Sequence, residues 1–209
     1  ALLEAWYPGQ SGGEAITRVL LGDAEPGGRL PTTFPKRAQD EGTSGDVQTY
    51  PGVKDQVRYK EGVLVGYRWF DSARIVPAYP FGAGLSYTSW RYHDLRVHRS
   101  RGRAPATVSV RVTNTGRRSG SDVAQLYVGI PALRGLLQPV RQLKGFRRVA
   151  LRPGRSARIT FTLTPRDLAA WDTKRPRFTV PRGCYPVRVG RSSRNFVLKG
   201  RLPVAGGRC

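Results

Sequence analysis

Two carboxylates flank the most aromatic stretch of the sequence, and together they form a first candidate binding site. Glu61 and Asp71 lie on either side of the aromatic run at residues 67–70. Carboxylate oxygens accept hydrogen bonds from sugar hydroxyls, while an aromatic ring such as that of Trp69 covers the apolar face of the sugar. In the alternative interpretation, Glu61 or Asp71 simply pairs with Arg68 across a strand.

A second candidate site lies in the turn at residues 8–13. Residues 2–7, which precede it, are short, apolar and aromatic, as expected of a buried strand in an α/β sheet. The apolar residues that follow the turn have helical spacing, which predicts a helix ended by Gly22. Ligands of open α/β sheets gather outside the carboxyl ends of the strands, so Gln10 and Ser11 are candidate contacts. A tight turn that needs glycine for its backbone geometry is the alternative.

The sequence contains no motif for a cofactor, a metal ion or an activated nucleophile. The glycine-rich residues 82–87 lack the third glycine of a dinucleotide fingerprint, and residues 10–12 do not complete Gly-x-Ser-x-Gly. The two cysteines and two histidines do not have the spacing of a zinc site, and we expect the histidines on the surface. We interpret Cys184 as a packing residue and Cys209 as part of a frayed tail, with a disulfide between them as the alternative.

After residue 88 the apolar pattern changes to period two, which is typical of antiparallel strands. Residues 107–112 alternate apolar with polar side chains and stop at an Asn-Thr-Gly turn. Short alternating strands separated by Gly, Pro and Asn turns indicate a β-sandwich. We therefore predict an α/β fragment over residues 1–88, followed by an all-β sandwich over residues 89–209. The further segments with this alternation are 123–128, 157–163, 185–189 and 195–198.

The net charge of +22 is confined to the second of these segments, since residues 1–86 carry −1 and residues 87–209 carry +23. A basic surface of this kind can bind nucleic acid, teichoic acid or an acidic polysaccharide, although no recognised nucleic-acid motif is present. A biased codon usage, or a coding sequence no longer under strict selection, is the alternative explanation. No apolar run approaches the ~20 residues needed for a membrane span. The arginines expected near turns are Arg99, Arg101, Arg103, Arg117, Arg118, Arg147, Arg148 and Arg152.

Five stretches, taken in order, resemble the C-terminal part of glycoside hydrolase family 3 enzymes of the β-glucosidase or β-xylosidase type. The first two are Trp-Tyr-Pro-Gly-Gln at residues 6–10 with the following Gly-Gly, and residues 20–35 with their Gly-Arg-Leu-Pro-Thr-Thr-Phe-Pro ending. The others are residues 59–71, residues 80–88, and the sandwich motifs at 112–116, 143–146 and 187–190.

The resemblance implies that residues 1–88 end the family's α/β sandwich domain and that residues 89–209 form a fibronectin type III-like (immunoglobulin-like) domain. Complete members are retaining enzymes, which use two carboxyl groups about 5–5.5 Å apart. The resemblance places the nucleophilic Asp on an N-terminal (β/α)8 barrel, which alone needs roughly 200 residues. It places the acid/base Glu before the Trp-Tyr-Pro-Gly motif in most members. Neither motif has a counterpart in this sequence, so we assign no catalytic residue.

By resemblance, the intact parent hydrolyses terminal, non-reducing β-linked sugars, a glucoside or a xyloside. We expect this chain to support the cleft, next to the barrel, and to be inactive by itself. The expected substrate contacts are Gln10, Ser11, Glu61 and Trp69, although many members have an acidic residue where this chain has Ser11. The competing hypothesis is a non-catalytic module that binds carbohydrate or an anionic polymer through the basic sandwich. If residues 2–7 lack sheet neighbours, an exposed apolar patch should result.

Overall fold

The first segment of the chain consists mainly of loops, with a few short helices. The computed structural model describes residues 1–99, 106–133 and 135–209. Helix α1 spans Gly12–Leu21 and helix α2 spans Tyr67–Ser72, with a 3₁₀ turn at Ala38–Asp40 between them. Helix α1 ends where predicted, because Gly22 adopts the left-handed conformation (φ 86°) and its N–H bonds the carbonyl of Val19. Among the described helices, none combines the length and hydropathy that crossing a membrane would require.

The predicted strand at residues 2–7 is wrong. These residues form no strand, and Leu2 and Tyr7 have exposed fractions of 60% and 100%. A β-strand requires a neighbouring strand to accept and donate its backbone hydrogen bonds. Residues 1–88, all of which the structure describes, contain only two isolated bridges, Phe34–Tyr79 and Val53–Gln56, so residues 2–7 have no strand to pair with.

The second segment is a sandwich of two antiparallel sheets, which confirms the predicted fold class. The strands are β1 Trp90–His98, β2 Ala106–Asn114, β3 Gly120–Val128, β4 Gln142–Leu151, β5 Ser156–Leu163, β6 Ala170–Asp172, β7 Arg177–Thr179, β8 Gly183–Gly190 and β9 Phe196–Val204. One sheet has the order β1-β2-β5, the other has the order β4-β3-β8-β9, and β6 pairs with β7 in a small hairpin.

The core of the sandwich lies between the two sheets and follows from the period-two pattern. Val108, Val110 and Val112 of β2 are fully buried, and Leu126 of β3 and Val187 of β8 meet them from the facing sheet. Alternate residues of each strand therefore point into one shared core. The remaining residues of each strand point outward, and the two outer faces differ in the side chains they carry and in their contacts with the first segment.

All five predicted sandwich strands are present, within β2, β3, β5, β8 and β9. Strands β1 and β4 and the short strands β6 and β7 were not predicted. In β1 and β4 the register of pairing shifts once, between His93 and Arg96 in β1 and at Leu126/Tyr127 opposite β4, and such bulges interrupt strict alternation. His98 is exposed as expected, whereas His93 is half-buried.

Cys184 and Cys209 are joined by a disulfide, so the interpretation of unpaired cysteines is wrong. After β9 the chain turns at Gly206, and Gly207 lies against the backbone of Gly183 at the start of β8. This turn brings the C-terminal residue within bonding reach of Cys184, with the two Cα atoms 5.1 Å apart. The spacing of the two cysteines in the sequence did not predict that the chain end returns to the start of β8.

Candidate functional site

The first segment packs on the outer side of β3 and on one end of the sandwich, and two buried aspartates mark these contacts. Asp122 belongs to β3, and no part of its side chain is accessible to solvent. Its carboxylate forms ion pairs with Arg29 from the first segment and with Arg191 after β8, the latter at 2.9 Å between Nε and Oδ2. The Tyr92 hydroxyl donates to the same carboxylate at 3.0 Å. Asp122 therefore links three separate parts of the chain.

A second cluster surrounds Asp71 in helix α2, whose side chain is 1% exposed. Arg141, which directly precedes β4, donates to Asp71 Oδ1 at 2.6 Å, and Arg194 lies 3.4 Å from the same oxygen. Arg194 also donates to the carbonyl of Ile75 at 2.7 Å. The alternative pairing of Asp71 with Arg68 across a strand is wrong, because residue 71 lies in a helix and its arginine partners come from the sandwich.

Both clusters serve to hold surfaces together. A buried carboxylate without a partner is strongly disfavoured, so removing either set of arginines would leave a charge in a dry interface. Burial, together with the Asp122 carboxylate, raises the pKa of Tyr92 far above its usual range. Tyr92 therefore remains a hydrogen-bond donor to Asp122 at all physiological pH values.

Neutral contacts between the two ion clusters complete the interface. The Gln125 side chain donates to the carbonyl of Gly82 at 3.0 Å, and the Ser193 amide donates to the carbonyl of Phe81 at 2.9 Å. The Leu143 amide donates to the Tyr67 hydroxyl at 2.8 Å. Aromatic rings fill the space between these bonds. Tyr67 stacks on Phe81 with ring centroids 5.2 Å apart, and Tyr127 and Phe196 continue the packing edge to face.

A half-open cavity of about 390 Å³ lies at the edge of this interface. Its wall includes Ser86, Trp90, Arg191 and Asn195, and none of its lining residues is a carboxylate. Within the described ranges, no group of three or more His, Cys, Asp or Glu side chains could hold a metal ion. The cavity can offer hydroxyl, amide and guanidinium groups to a ligand.

The turn residues Gln10 and Ser11 are both exposed beside the N-terminus of α1. Ser11 occupies the N-cap position, but its side chain makes no capping hydrogen bond. Gly12 is buried, and a Cβ atom there would lie 2.5 Å from Pro8 Cγ, so the turn does require glycine. The tight turn needs Gly12 for its backbone, while the side chains of Gln10 and Ser11 stay exposed. A ligand contact by Gln10 or Ser11 is therefore compatible with the geometry of the turn.

Glu61 and Trp69 are held within the first segment. The Trp69 indole N–H donates to the carbonyl of Asp40 at 3.0 Å, and Gly42 packs so closely on its ring that a Cβ atom would lie 2.9 Å away. Glu61 is half-buried, and its Oε2 atom is enclosed without a hydrogen-bond partner. No hydrogen bond or ion pair in the described part of the chain connects these two residues to the 8–13 turn.

Sequence reasoning missed Asp122 as an interface residue, although one signal was available. Asp122 is in phase with Ala124 and Leu126, which point into the core. An aspartate on the apolar side of an alternating strand predicts a cationic partner, because burial of a lone carboxylate is costly. The identity of the partners, Arg29 and Arg191, could not be read from the sequence, since both are distant along the chain.

The architecture is that of an α/β segment docked on a fibronectin type III-like sandwich, and comparison with known proteins agrees. Residues 1–87 match the glycosyl hydrolase family 3 C-terminal domain, and residues 122–193 match the fibronectin type III-like domain. A β-glucosidase of Rhizobium radiobacter is 43% identical over 195 residues, covering 92% of this chain and 24% of the relative. Thermostable β-glucosidase B of Acetivibrio thermocellus is 39% identical, covering 98% of this chain and 27% of the relative.

Solved structures give the same result. The family 3 β-glucosidase of Bifidobacterium adolescentis superposes with a TM-score of 0.89 at 38% identity, over 96% of this chain and 29% of that protein. Thermotoga neapolitana β-glucosidase 3B in complex with α-D-glucose superposes with a TM-score of 0.86 at 38% identity, over 98% and 28%. The chain therefore belongs to glycoside hydrolase family 3 and corresponds to the C-terminal part of its members. It spans about a quarter of the length of these relatives.

Proposed function

We propose that this chain forms one wall of the cleft of a family 3 glycosidase that hydrolyses terminal, non-reducing β-linked glucosides or xylosides. The sandwich acts as a mount for the loops of residues 1–88, with the boundary between the two domains at residues 88 and 89. The observation that carries this proposal is the pair of arginine-bound, buried aspartates, Asp71 and Asp122. They hold the first segment on the sandwich.

The same observation supports the second half of the proposal, that the chain by itself does not hydrolyse glycosides. A retaining glycosidase needs two carboxyl groups about 5–5.5 Å apart that both reach the scissile bond. The buried aspartates at the interface, Asp71 and Asp122, are bonded to guanidinium groups. Both therefore serve a structural role, and the nucleophile and the acid/base are supplied by the N-terminal barrel and the preceding part of the α/β domain.

Exposed apolar side chains of the first segment support a proposal for where those parts attach. We define the N-terminal patch as Trp6, Tyr7, Leu20 and Leu21, which have exposed fractions between 57% and 100%. Two of these residues precede the turn before helix α1, and two lie at the end of that helix. We propose that the barrel-bearing part of the family 3 fold covers this patch, which places Gln10 and Ser11 at the cleft. Glu61 and Trp69 then shape the loops behind it.

The experiment is an assay of release of p-nitrophenol from aryl β-glucoside and aryl β-xyloside. The 209-residue chain alone should give no turnover above background. Mixed with the separately produced N-terminal three quarters of the Rhizobium radiobacter relative, it should restore activity. Turnover by the chain alone would contradict the proposal that the nucleophile and the acid/base are supplied by other parts of the protein.

A matched pair of variants tests the attachment surface. Leu21→Ser lies in the N-terminal patch, whereas Val140→Ser removes a comparably exposed apolar side chain from the sandwich. We expect the first variant to weaken complementation and the second to leave it unchanged. Equal behaviour of the two variants would show that the patch is not the contact surface.

A further inference from the structure

The outer face of the three-stranded sheet is mainly exposed, whereas the first segment packs on the outer side of β3 in the four-stranded sheet. In β1, Tyr92 points into the core, so its neighbour Arg91 points outward. The register shift between His93 and Arg96 reverses the alternation, so Arg96 also points outward, opposite Ser109. Arg111 of β2 and Arg158 of β5 lie on the same outer side, and all four arginines are exposed. We call these four residues the arginine face.

The pairing register shows that the sheet does not need all of these charges. Arg111 lies directly opposite Arg158 on one side and opposite His93 on the other. Like charges directly opposite each other destabilise a sheet. Asp94 compensates part of this charge by pairing with Arg96 and Arg158, but no ion pair among the described residues involves Arg91 or Arg111. A position that breaks a local stability rule is a candidate for a functional role.

Hydroxyl side chains occupy the positions between the arginines. Outward-facing Ser and Thr residues come from the same two strands as Arg111 and Arg158, and Thr160 and Thr162 are exposed near one end. The aromatic residues of β1 point inward, since Trp90 and Tyr92 pack on the core. The described part of this face therefore has cations, hydroxyls and the imidazole rings of His93 and His98, but no Phe, Tyr or Trp side chain. Ser109 and Thr113 are buried and bonded to Arg158 and Ser156, and the more accessible hydroxyls are those of Thr107, Ser156, Thr160 and Thr162.

We propose that the arginine face binds an acidic polysaccharide, with guanidinium groups on its carboxylates and Ser/Thr hydroxyls on its sugar hydroxyls. Planar guanidinium groups bind carboxylates through two parallel hydrogen bonds. A flat sheet suits an extended polymer, because outward side chains repeat along and across the strands at regular spacing. Single-stranded nucleic acid is disfavoured, because the described face offers no Phe, Tyr or Trp ring on which bases could stack. The inference is independent of the cleft role, since it uses the opposite sheet.

The test is binding of the 209-residue chain to polygalacturonate over a series of salt concentrations. The double variant Arg91→Ser/Arg111→Ser removes two charges from the arginine face. The control Arg175→Ser/Arg177→Ser removes two exposed charges from the β6–β7 hairpin. It therefore has the same net charge as the face variant. At low salt we expect the face variant to lose on the order of tenfold in affinity, with a shallower salt dependence, because two counterion-releasing contacts are lost. The control should change far less.

A second measurement works without variants. Chemical modification of arginines with phenylglyoxal, mapped by mass spectrometry, should show Arg91 and Arg111 protected by polygalacturonate and Arg175 and Arg177 unprotected. Equal losses in the two double variants, equal protection, or no binding of polygalacturonate would overturn the proposal. Tighter binding of single-stranded DNA than of polygalacturonate would overturn the assignment to polysaccharide. Neutral dextran should not bind.

Discussion

The two sheets of the sandwich share one core but have opposite outer faces. The first segment packs on the outer side of β3 through aromatic rings and the buried Asp71 cluster, and its Arg29 reaches the fully buried Asp122 on the core side of that strand. The outer face of β1-β2-β5 carries arginines and hydroxyls in solvent. The same strand pattern therefore supports a permanent interface on one sheet and a free surface on the other.

This difference is clearest for two aspartates that each pair with two arginines. Asp122 of β3 is fully buried on the core side of its sheet, whereas Asp94 lies at the surface of the other sheet. Each has two arginine partners, so the main difference between them is burial, with the Tyr92 hydroxyl as a further partner of Asp122. In water the attraction between charges is weak and easily replaced, whereas a charge left unpaired in a dry interface is not.

The largest expected effect is that of Asp122→Asn. This substitution keeps the shape of the side chain but leaves Arg29 and Arg191 facing a neutral amide, and we expect a loss of about 3–5 kcal/mol in the free energy of unfolding. Denaturant unfolding measures it. Asp94→Asn is the matched control and should destabilise far less, because asparagine tolerates the positive φ of residue 94 (54°) and the arginines there remain solvated. Equal losses in the two variants would break the comparison between the sheets.

The next effect concerns a glycine at the covered interface. Gly82 has φ 78°, and a Cβ atom there would lie 2.3 Å from Gln125 Oε1, which is buried. We expect Gly82→Ala to cost about 2–4 kcal/mol, from backbone strain and overpacking together. Gly154→Ala, in the turn between β4 and β5, has a similar φ of 71° but no atom within 4 Å, so about 1 kcal/mol of strain remains. Thermal unfolding of both variants would show whether contact with the sandwich makes the difference.

A pH titration sharpens the contrast at the exposed sheet. Hydrogen bonds from Arg158 and Arg96 lower the pKa of Asp94 below its usual range. The carboxylate therefore contributes stability that is fully present above about pH 4, the unfolded value, and is lost as the pH falls through the folded pKa. We expect the difference in stability between the wild type and Asp94→Asn to shrink as the pH is lowered from 6 to below 3. A difference that stays constant with pH would show that ionisation of Asp94 is irrelevant to folding.

The smallest effect has the opposite sign. Arg111→Thr removes a charge that faces Arg158 directly, and threonine is favoured in strands. We expect a gain of about 0.2–1 kcal/mol in the free energy of unfolding, together with weaker binding of polygalacturonate. Destabilisation by this substitution would indicate that Arg111 has a structural role.

Much of this molecule follows from the sequence, and the failures share a cause. The sandwich strands follow from alternation, and the end of α1 from Gly22. The strand at residues 2–7 failed because apolar character indicates burial only when a partner surface is present. The disulfide and the Asp71 cluster depend on groups brought together by the tertiary fold, such as Arg141 and Arg194, and no local pattern encodes such partners.

The most direct test of the account is hydrogen exchange at two amides of the sandwich whose acceptors belong to the first segment. The Leu143 amide bonds the Tyr67 hydroxyl, and the Ser193 amide bonds the carbonyl of Phe81. If the segment is permanently docked, both amides should exchange as slowly as those of the paired strands β3 and β8. Exchange at the rate of free loop amides, while β3 and β8 stay protected, would contradict the claim that the sandwich holds residues 1–88 in place.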